Sequence, residues 1–197
     1  MRRALWALGL AWAAAAAAAD ADLERARKIV SGRCFLCHGF EGESSSGLYP
    51  RLAGQHPEYL AKQLLDFKSG RRKSQMTEMV ADLDDAEIRA LGVYFSKQKP
   101  APHAPSDPEI TAVGRYVYHR GNVYSGVAAC ASCHGPDGAG TPQLPRLAGQ
   151  NALYTETQLK QFNKRERTND NAVMHTIASK LTELEIKAVA EYIAGME

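Results

Sequence analysis

The strongest constraint on this chain is a five-residue pattern that occurs twice and uses all four of its cysteines. Residues 34–38 read Cys-Phe-Leu-Cys-His, and residues 130–134 read Cys-Ala-Ser-Cys-His. The pattern C-x-x-C-H is typical of a c-type haem attachment site, in which two thiols bond to one porphyrin and the adjacent histidine binds its iron. A zinc site and a thioredoxin-like dithiol are the alternatives, but neither requires a histidine directly after the second cysteine.

The repeated pattern therefore predicts two covalently attached haem c groups. The predicted attachment positions are Cys34, Cys37, Cys130 and Cys133. The predicted proximal iron ligands are His38 and His134. A haem iron that is bound by one histidine either takes a sixth ligand or keeps an open site, and methionine or a second histidine is the usual choice.

Comparison of the two halves selects methionine for the sixth position. Met76 and Met174 stand at the same distance before the last predicted helix of their halves, and they are the predicted axial ligands. Met79 has no methionine at the equivalent position, so we interpret it as core packing beside the haem. Two alternatives stay open: that all these methionines only fill gaps in the core, and that His175, next to Met174, is the ligand.

The two halves repeat one another well beyond the cysteine pattern. The segment Pro-Arg-Leu-Ala-Gly-Gln occurs unchanged at residues 50–55 and 145–150. Four further positions recur at a constant separation of 95 residues: Tyr59 and Tyr154, Gln63 and Gln158, Leu64 and Leu159, Phe67 and Phe162. Each half ends with an apolar helical pattern that follows a predicted capping box: Asp84 with Glu87, and Thr182 with Glu185. The repeat indicates duplication of a whole domain.

This duplication predicts an N-terminal domain at residues 20–99 and a C-terminal domain at residues 109–197. Four prolines within residues 99–108 indicate a stiff, extended linker, which we place at residues 100–108. Each domain is expected to open with a short helix, at residues 22–31 in the first and 111–119 in the second.

Residues 1–19 have the composition of a secretory signal peptide. Two arginines follow the first methionine, and an apolar, alanine-rich run extends to Ala19. Cleavage after Ala19 or Ala21 fits the pattern of small residues at such sites and predicts a periplasmic protein. An uncleaved leader that anchors the chain to the membrane is the alternative, although the run is short for a membrane span.

Two clusters of basic residues follow corresponding helices, at residues 71–73 and 164–167. Basic side chains suit the negative end of a helix dipole, which is the plainer interpretation. The other interpretation is a rim that docks an acidic redox partner or contacts haem propionates. His56, His103 and His119 are interpreted as surface or capping residues.

Taken together, these motifs resemble the cytochrome c4 family of dihaem class I c-type cytochromes. The resemblance covers almost the whole chain after the leader. It also rests on Tyr-Leu-Ala-Lys-Gln-Leu at residues 59–64, Gln-Met-Thr-Glu-Met at 75–79 and Arg-Thr-Asn-Asp at 167–170. It implies an all-α fold with two tandem class I cytochrome c domains, each wrapped around one covalently bound haem, and with the two haems close to the domain interface.

The resemblance also implies a role for two prolines. The backbone carbonyls of Pro50 and Pro145 are expected to accept hydrogen bonds from the proximal histidines, and such bonds raise the basicity of a ligand. The proline-rich linker differs from the usual linker of the family, which leaves the packing of the domains open.

The expected function is electron transfer without enzymatic activity, because an iron with histidine and methionine ligands has no open position for a substrate. A carrier of this kind would accept electrons from a quinol-oxidising complex and donate them to a terminal oxidase, and would associate peripherally with the membrane. The alternatives are the cytochrome subunit of a larger redox enzyme, such as flavocytochrome c sulfide dehydrogenase, and a dihaem peroxidase. Nucleic acid is not an expected partner, since removal of the leader would leave 22 basic residues against 22 acidic ones.

Overall fold

The computed structural model describes residues 20–197, so the predicted signal peptide lies outside the described residues. In residues 20–197 the regular structure is helical, and the one β contact is an isolated antiparallel bridge between Asn122 and Val127. The predicted all-α architecture is therefore confirmed. Within the same residues, no helix is both long enough and apolar enough to cross a membrane.

The N-terminal half begins with a helix that leads directly into the first cysteine pattern. The described part of α1 spans residues 20–29. It continues through a π-helical turn, Val30–Cys34, into α2, Phe35–His38. The prediction of a separate helix at residues 22–31 missed this continuity. The helices that follow are α3 (Pro57–Lys68), α4 (Met76–Met79) and α5 (Asp85–Ser96).

The C-terminal half repeats this order with one local difference. A 3-10 turn, Pro108–Ile110, opens it. Its helices are α6 (Thr111–Arg120), α7 (Ala131–His134), α8 (Ala152–Asn163), α9 (Val173–Ala178) and α10 (Glu183–Ala194). A loop closed by the Asn122–Val127 bridge stands between α6 and α7, where the first half has its π-helical turn.

Both predicted capping boxes are present at the last helix of each half. The Asp84 carboxylate accepts a hydrogen bond from Glu87 N at 2.8 Å, and the Glu87 carboxylate accepts one from Asp84 N at 2.9 Å. Thr182 and Glu185 form the same pair at the start of α10. These bonds satisfy amide donors that have no partner inside the helix, which is why both helices begin where the sequence predicts.

Each half encloses its own hydrophobic core. α3 packs against α5 in the N-terminal half, and α10 packs against α6 and α8 in the C-terminal half. Ile88 and Ile186, on the last helix of each half, are fully buried. Complete burial of such a side chain stabilises the fold by about 1.5–3 kcal/mol relative to leaving it exposed.

The linker is extended and is held at both ends. The amide of Ala101 and the ring of His103 bind the Glu43 carboxylate, at 3.1 and 3.0 Å. At the other end, the amide and hydroxyl of Ser106 bind the Glu191 carboxylate, at 2.7 and 2.6 Å. Prolines have no backbone N–H to donate, so the amides of the residues between them carry these contacts.

Candidate haem centres and the domain interface

The first cysteine pattern lies on α2, which fixes the orientation of its histidine. The His38 ring is 6% exposed, and its Nδ1 lies 2.9 Å from the carbonyl oxygen of Pro50. Because a carbonyl oxygen only accepts hydrogen bonds, Nδ1 carries the proton and Nε2 keeps its lone pair. Burial lowers the pKa of His38, while the bond to Pro50 acts in the opposite direction. The ring is therefore a neutral imidazole with one nitrogen free for a metal, as iron ligation requires.

The second pattern has the same geometry on α7. The His134 ring is 7% exposed, and its Nδ1 lies 3.1 Å from the carbonyl oxygen of Pro145. Burial lowers the pKa of His134 as well. Both prolines thus make the contacts expected of them, and the two halves present equivalent imidazoles.

The four cysteines are free of disulfide bonds and lie at the surface or partly buried. Burial raises the pKa of the Cys34 thiol and of the Cys130 thiol to about 11. A dithiol oxidoreductase requires a lowered thiol pKa, so these values argue against the thioredoxin-like alternative. In the described residues, no group of three or more His, Cys, Asp and Glu side chains could hold a metal ion, so the zinc alternative has no ligand set there.

The methionines differ in their packing. Met76 is the first residue of α4 and Met174 the second residue of α9, and each packs against the core of its own half. Met79, by contrast, is 42% exposed and is not among the residues that pack against the core of its half, so its packing beside the haem stays a prediction. The ring of His175 bonds through Nδ1 to the carbonyl oxygen of Phe162 at 3.0 Å, which holds it against the end of α8. Ligation by Met76 and Met174 stays a prediction.

The two repeated Pro-Arg-Leu-Ala-Gly-Gln segments meet at the interface between the halves. The Arg51 amide donates to Gln150 Oε1 at 2.9 Å, and Gln150 Nε2 donates back to the Arg51 carbonyl at 2.9 Å. Arg146 and Gln55 make the same two bonds, at 2.8 and 2.9 Å. The two contacts are exchanged by a pseudo-twofold rotation, so the repeated segment is an interface element.

A second symmetric cluster joins α3 to α8. Arg72 donates to Tyr154 Oη at 3.0 Å and Gln158 Oε1 at 2.7 Å, both in the other half. Arg167 donates to Tyr59 Oη at 3.0 Å and to Gln63 Oε1 at 3.2 Å, again across the interface. Each guanidinium also stacks on a phenylalanine ring, of Phe67 or Phe162, with the guanidinium carbon 4.6 or 4.5 Å from the ring centroid.

These contacts correct the interpretation of two basic residues. Arg72 and Arg167 lie in the domain interface, and Arg167 is only 8% exposed. Neither a simple helix-dipole role nor an exposed docking rim describes them. Burial acts to raise the pKa of the Tyr154 phenol, but the two guanidinium charges beside it hold that pKa below its ordinary value. Arg72 and Arg167 are separated by 95 residues, as are the neighbouring tyrosines and glutamines. This shared separation was the sequence signal that could have indicated equivalent roles for the two arginines.

The histidines outside the haem motifs also have structural contacts. His56 Nε2 bonds to the carbonyl oxygen of Ala139 at 2.8 Å, across the interface. His119 Nε2 bonds to the Tyr192 hydroxyl at 2.9 Å within the C-terminal half. His103 binds Glu43 at the surface, and His56 is the N-cap residue of α3 although its side chain makes no capping bond, so these two have positions of the predicted surface or capping kind.

Both halves of the chain match family models of cytochromes. A model described as cytochrome c matches residues 118–197, and one described as cytochrome C oxidase, cbb3-type, subunit III matches residues 21–95. Cytochrome c4 from Thiocapsa roseopersicina is 42% identical to this chain, over 89% of this chain and 93% of the relative. The chain belongs to the cytochrome c4 family. The thiosulfate dehydrogenase electron acceptor of Thiomonas intermedia is also similar, at 38% identity over 96% of this chain and 85% of that protein.

A solved member of the cytochrome c4 family has the same fold. The crystal structure of reduced recombinant cytochrome c4 from Pseudomonas stutzeri superposes with a TM-score of 0.84 at 36% identity, and the match covers 88% of this chain and 98% of that one. The chain therefore has two cytochrome c domains and two covalently bound haem c groups, and it is a dihaem electron carrier. The paired thiols and neutral imidazoles described above fit those groups.

Proposed function

We propose that this protein is a periplasmic electron carrier of a respiratory chain, which accepts electrons from a quinol-oxidising complex and donates them to a terminal oxidase. The observation that carries the proposal is the pairing, in each half, of a buried neutral imidazole with a core-packed methionine at an equivalent position. A haem with both axial positions filled exchanges electrons but does not bind substrate, and methionine ligation raises its reduction potential. A high potential suits a donor to an oxidase.

The proposal assigns a role to each predicted site residue. The thiols that attach the haems are Cys34, Cys37, Cys130 and Cys133. The axial ligands are His38 with Met76 in one half, and His134 with Met174 in the other. Pro50 and Pro145 orient the histidines through the hydrogen bonds described above.

The ligand assignment is tested by redox titration with visible spectroscopy of the holoprotein. Met76→Ala and Met174→Ala are each expected to remove the iron–sulfur charge-transfer band of one haem and to lower one reduction potential. Met79→Ala is the matched control, three residues away on α4, and should leave both signals unchanged. Loss of a band in Met79→Ala with none in Met76→Ala would refute the assignment.

The respiratory role is tested with membranes that contain a terminal oxidase. Addition of the reduced protein should sustain oxygen uptake, and quinol-reduced membranes should reduce the oxidised protein. Fast peroxide turnover by the protein alone would instead favour the dihaem peroxidase alternative.

The second candidate function is acceptance of electrons from a dehydrogenase. It is favoured by the similarity to the thiosulfate dehydrogenase electron acceptor of Thiomonas intermedia. In this case the oxidised protein should be reduced rapidly by thiosulfate when a thiosulfate dehydrogenase is present, and slowly without the enzyme. The flavocytochrome alternative predicts co-purification with a flavoprotein.

A further inference from the structure

One peptide group connects the proximal histidine of the N-terminal half to the C-terminal half. Its carbonyl oxygen, that of Pro50, lies 2.9 Å from His38 Nδ1. Its N–H belongs to Arg51 and donates to Gln150 Oε1 at 2.9 Å. The group therefore accepts from a histidine of its own domain at one end and donates to a side chain of the other domain at the other end.

The equivalent peptide group of the C-terminal half contacts the second proximal histidine. The carbonyl oxygen of Pro145 lies 3.1 Å from His134 Nδ1. The N–H of the same peptide group, that of Arg146, donates to Gln55 Oε1 at 2.8 Å. Gln55 is buried, so water does not compete for this bond.

The orientation of each glutamine amide follows from its partners. Gln55 Oε1 also accepts from the His56 amide at 3.1 Å, and Gln55 Nε2 donates to the Arg146 carbonyl at 2.9 Å. Gln150 repeats this with the amide of the next residue and the Arg51 carbonyl. A flipped amide would direct its NH₂ group at two N–H donors, so only this orientation satisfies every group.

A peptide group that donates through its N–H becomes more polarised, and its oxygen then accepts more strongly. A stronger acceptor at Nδ1 raises the basicity of the imidazole as a metal ligand. A more basic imidazole stabilises oxidised iron relative to reduced iron and so lowers the reduction potential. We infer that each glutamine tunes the proximal ligand of the opposite domain, Gln150 acting on His38 and Gln55 acting on His134.

The two glutamines are positioning residues, since they act through a peptide group and a histidine. The inference rests on the ligand roles proposed above for His38 and His134. It adds that the potential of each haem depends on a side chain of the other domain, so that separation of the domains changes both potentials.

The test measures both reduction potentials of the holoprotein in Gln150→Leu and Gln55→Leu. Each potential is assigned to a domain by the Met76→Ala and Met174→Ala variants. Gln150→Leu is expected to raise the potential of the N-terminal haem and leave the other unchanged, and Gln55→Leu to do the opposite. Strengthening of about 10–30% of a typical net hydrogen-bond energy corresponds to roughly a 1.2- to twofold change in the redox equilibrium. For a one-electron couple, this is ~5–18 mV, at 59 mV per tenfold.

Two further variants separate tuning from loosening of the interface. Gln158→Leu removes an interface glutamine that contacts Arg72 and Arg167 but neither peptide group. It should leave both potentials unchanged. Gln150→Glu keeps an acceptor for the Arg51 amide and makes it anionic, so it should lower the potential of the N-terminal haem.

The inference would be overturned by any of three results. These are a shifted reduction potential for the haem of the domain that carries the substitution, equal shifts in the potentials of both haems, and a raised potential of the N-terminal haem in Gln150→Glu. Failure of the inference differs from failure of the carrier function. In the first case, wild-type protein passes electrons to oxidase membranes while the glutamine variants keep wild-type potentials. In the second case, the wild-type protein itself does not transfer electrons to the oxidase membranes.

Discussion

Replacement of Arg167 by methionine should strongly destabilise the pairing of the two domains. The guanidinium donates to four groups and stacks on Phe162, and it is almost completely buried. The acceptors are Gln158, Tyr59, Gln63 and Asn169. Methionine keeps an apolar stem over the ring but leaves the Tyr59 and Asn169 oxygens without their charged donor, while the two glutamine oxygens keep Arg72 as a charged donor.

The expected loss follows from those contacts. A hydrogen bond to a charged group contributes about 1.5–3 kcal/mol, and removal of one member of a buried charged network costs about 3–5 kcal/mol in total. We therefore expect Arg167→Met to lower the free energy of unfolding by about 3–5 kcal/mol. Arg72→Met, which loses three such bonds at a more exposed position, should cost about 2–3 kcal/mol.

The assay is guanidinium denaturation of the holoprotein, followed by haem absorbance and by circular dichroism. Lys73→Met is the matched control, since Lys73 is exposed and adjacent to Arg72. Both arginines bond to Gln63 Oε1 and Gln158 Oε1, so each single variant leaves these oxygens one charged donor and only the double variant removes both. The double variant should therefore lose more than the sum of the single variants. A loss below about 1 kcal/mol for Arg167→Met would show that this cluster does not hold the domains together, whereas strict additivity would show that the two arginines act independently of the shared glutamine oxygens.

Two further changes test a buried carboxylate on α3 and the anchoring of the linker. Asp66 is 2% exposed, and although burial acts to raise its pKa, bonds from Lys62, Asn169 and Arg71 hold the pKa below its ordinary value. The contribution of the Asp66 carboxylate to stability should therefore be complete above about pH 4, the usual unfolded pKa, and be lost as the pH falls through the lower folded pKa. Asp66→Asn should remove this pH dependence of the free energy of unfolding, measured by denaturation across that range. A stability difference between wild type and Asp66→Asn that persists unchanged at low pH would contradict this expectation. Glu191→Gln should weaken the hold on Ser106 and increase proteolytic cleavage in the linker, measured against the wild-type cleavage rate, whereas an equal rate would show that the contact does not restrain the chain.

Most of the fold could be predicted because local rules and the duplication point to the same answer. The capping boxes set where α5 and α10 begin, and the histidines and prolines of both halves follow from a motif with fixed geometry. The interface could not be predicted in the same way. The sequence shows that Arg72 and Arg167 are equivalent. The contact of each arginine with a tyrosine and a glutamine of the opposite half, however, depends on how the two folded domains pack.

The π-helical turn before α2 was missed for a related reason. Hydrophobic periodicity predicts that a helix is present, but it does not distinguish a widened turn from the end of the helix.

The exchange of identical contacts between the halves is the geometry of an isologous dimer, in which one surface binds a copy of itself. In a dimer of separate chains, every substitution at such a surface appears twice and must suit both positions. Covalent linkage of two copies removes that restriction. Asp66 and Gln161, which occupy equivalent places, already differ, and only Asp66 binds Asn169 of the opposite half. The linked chain can therefore accumulate unequal electrostatic surroundings for its two haems while it keeps the ancestral symmetry of the backbone.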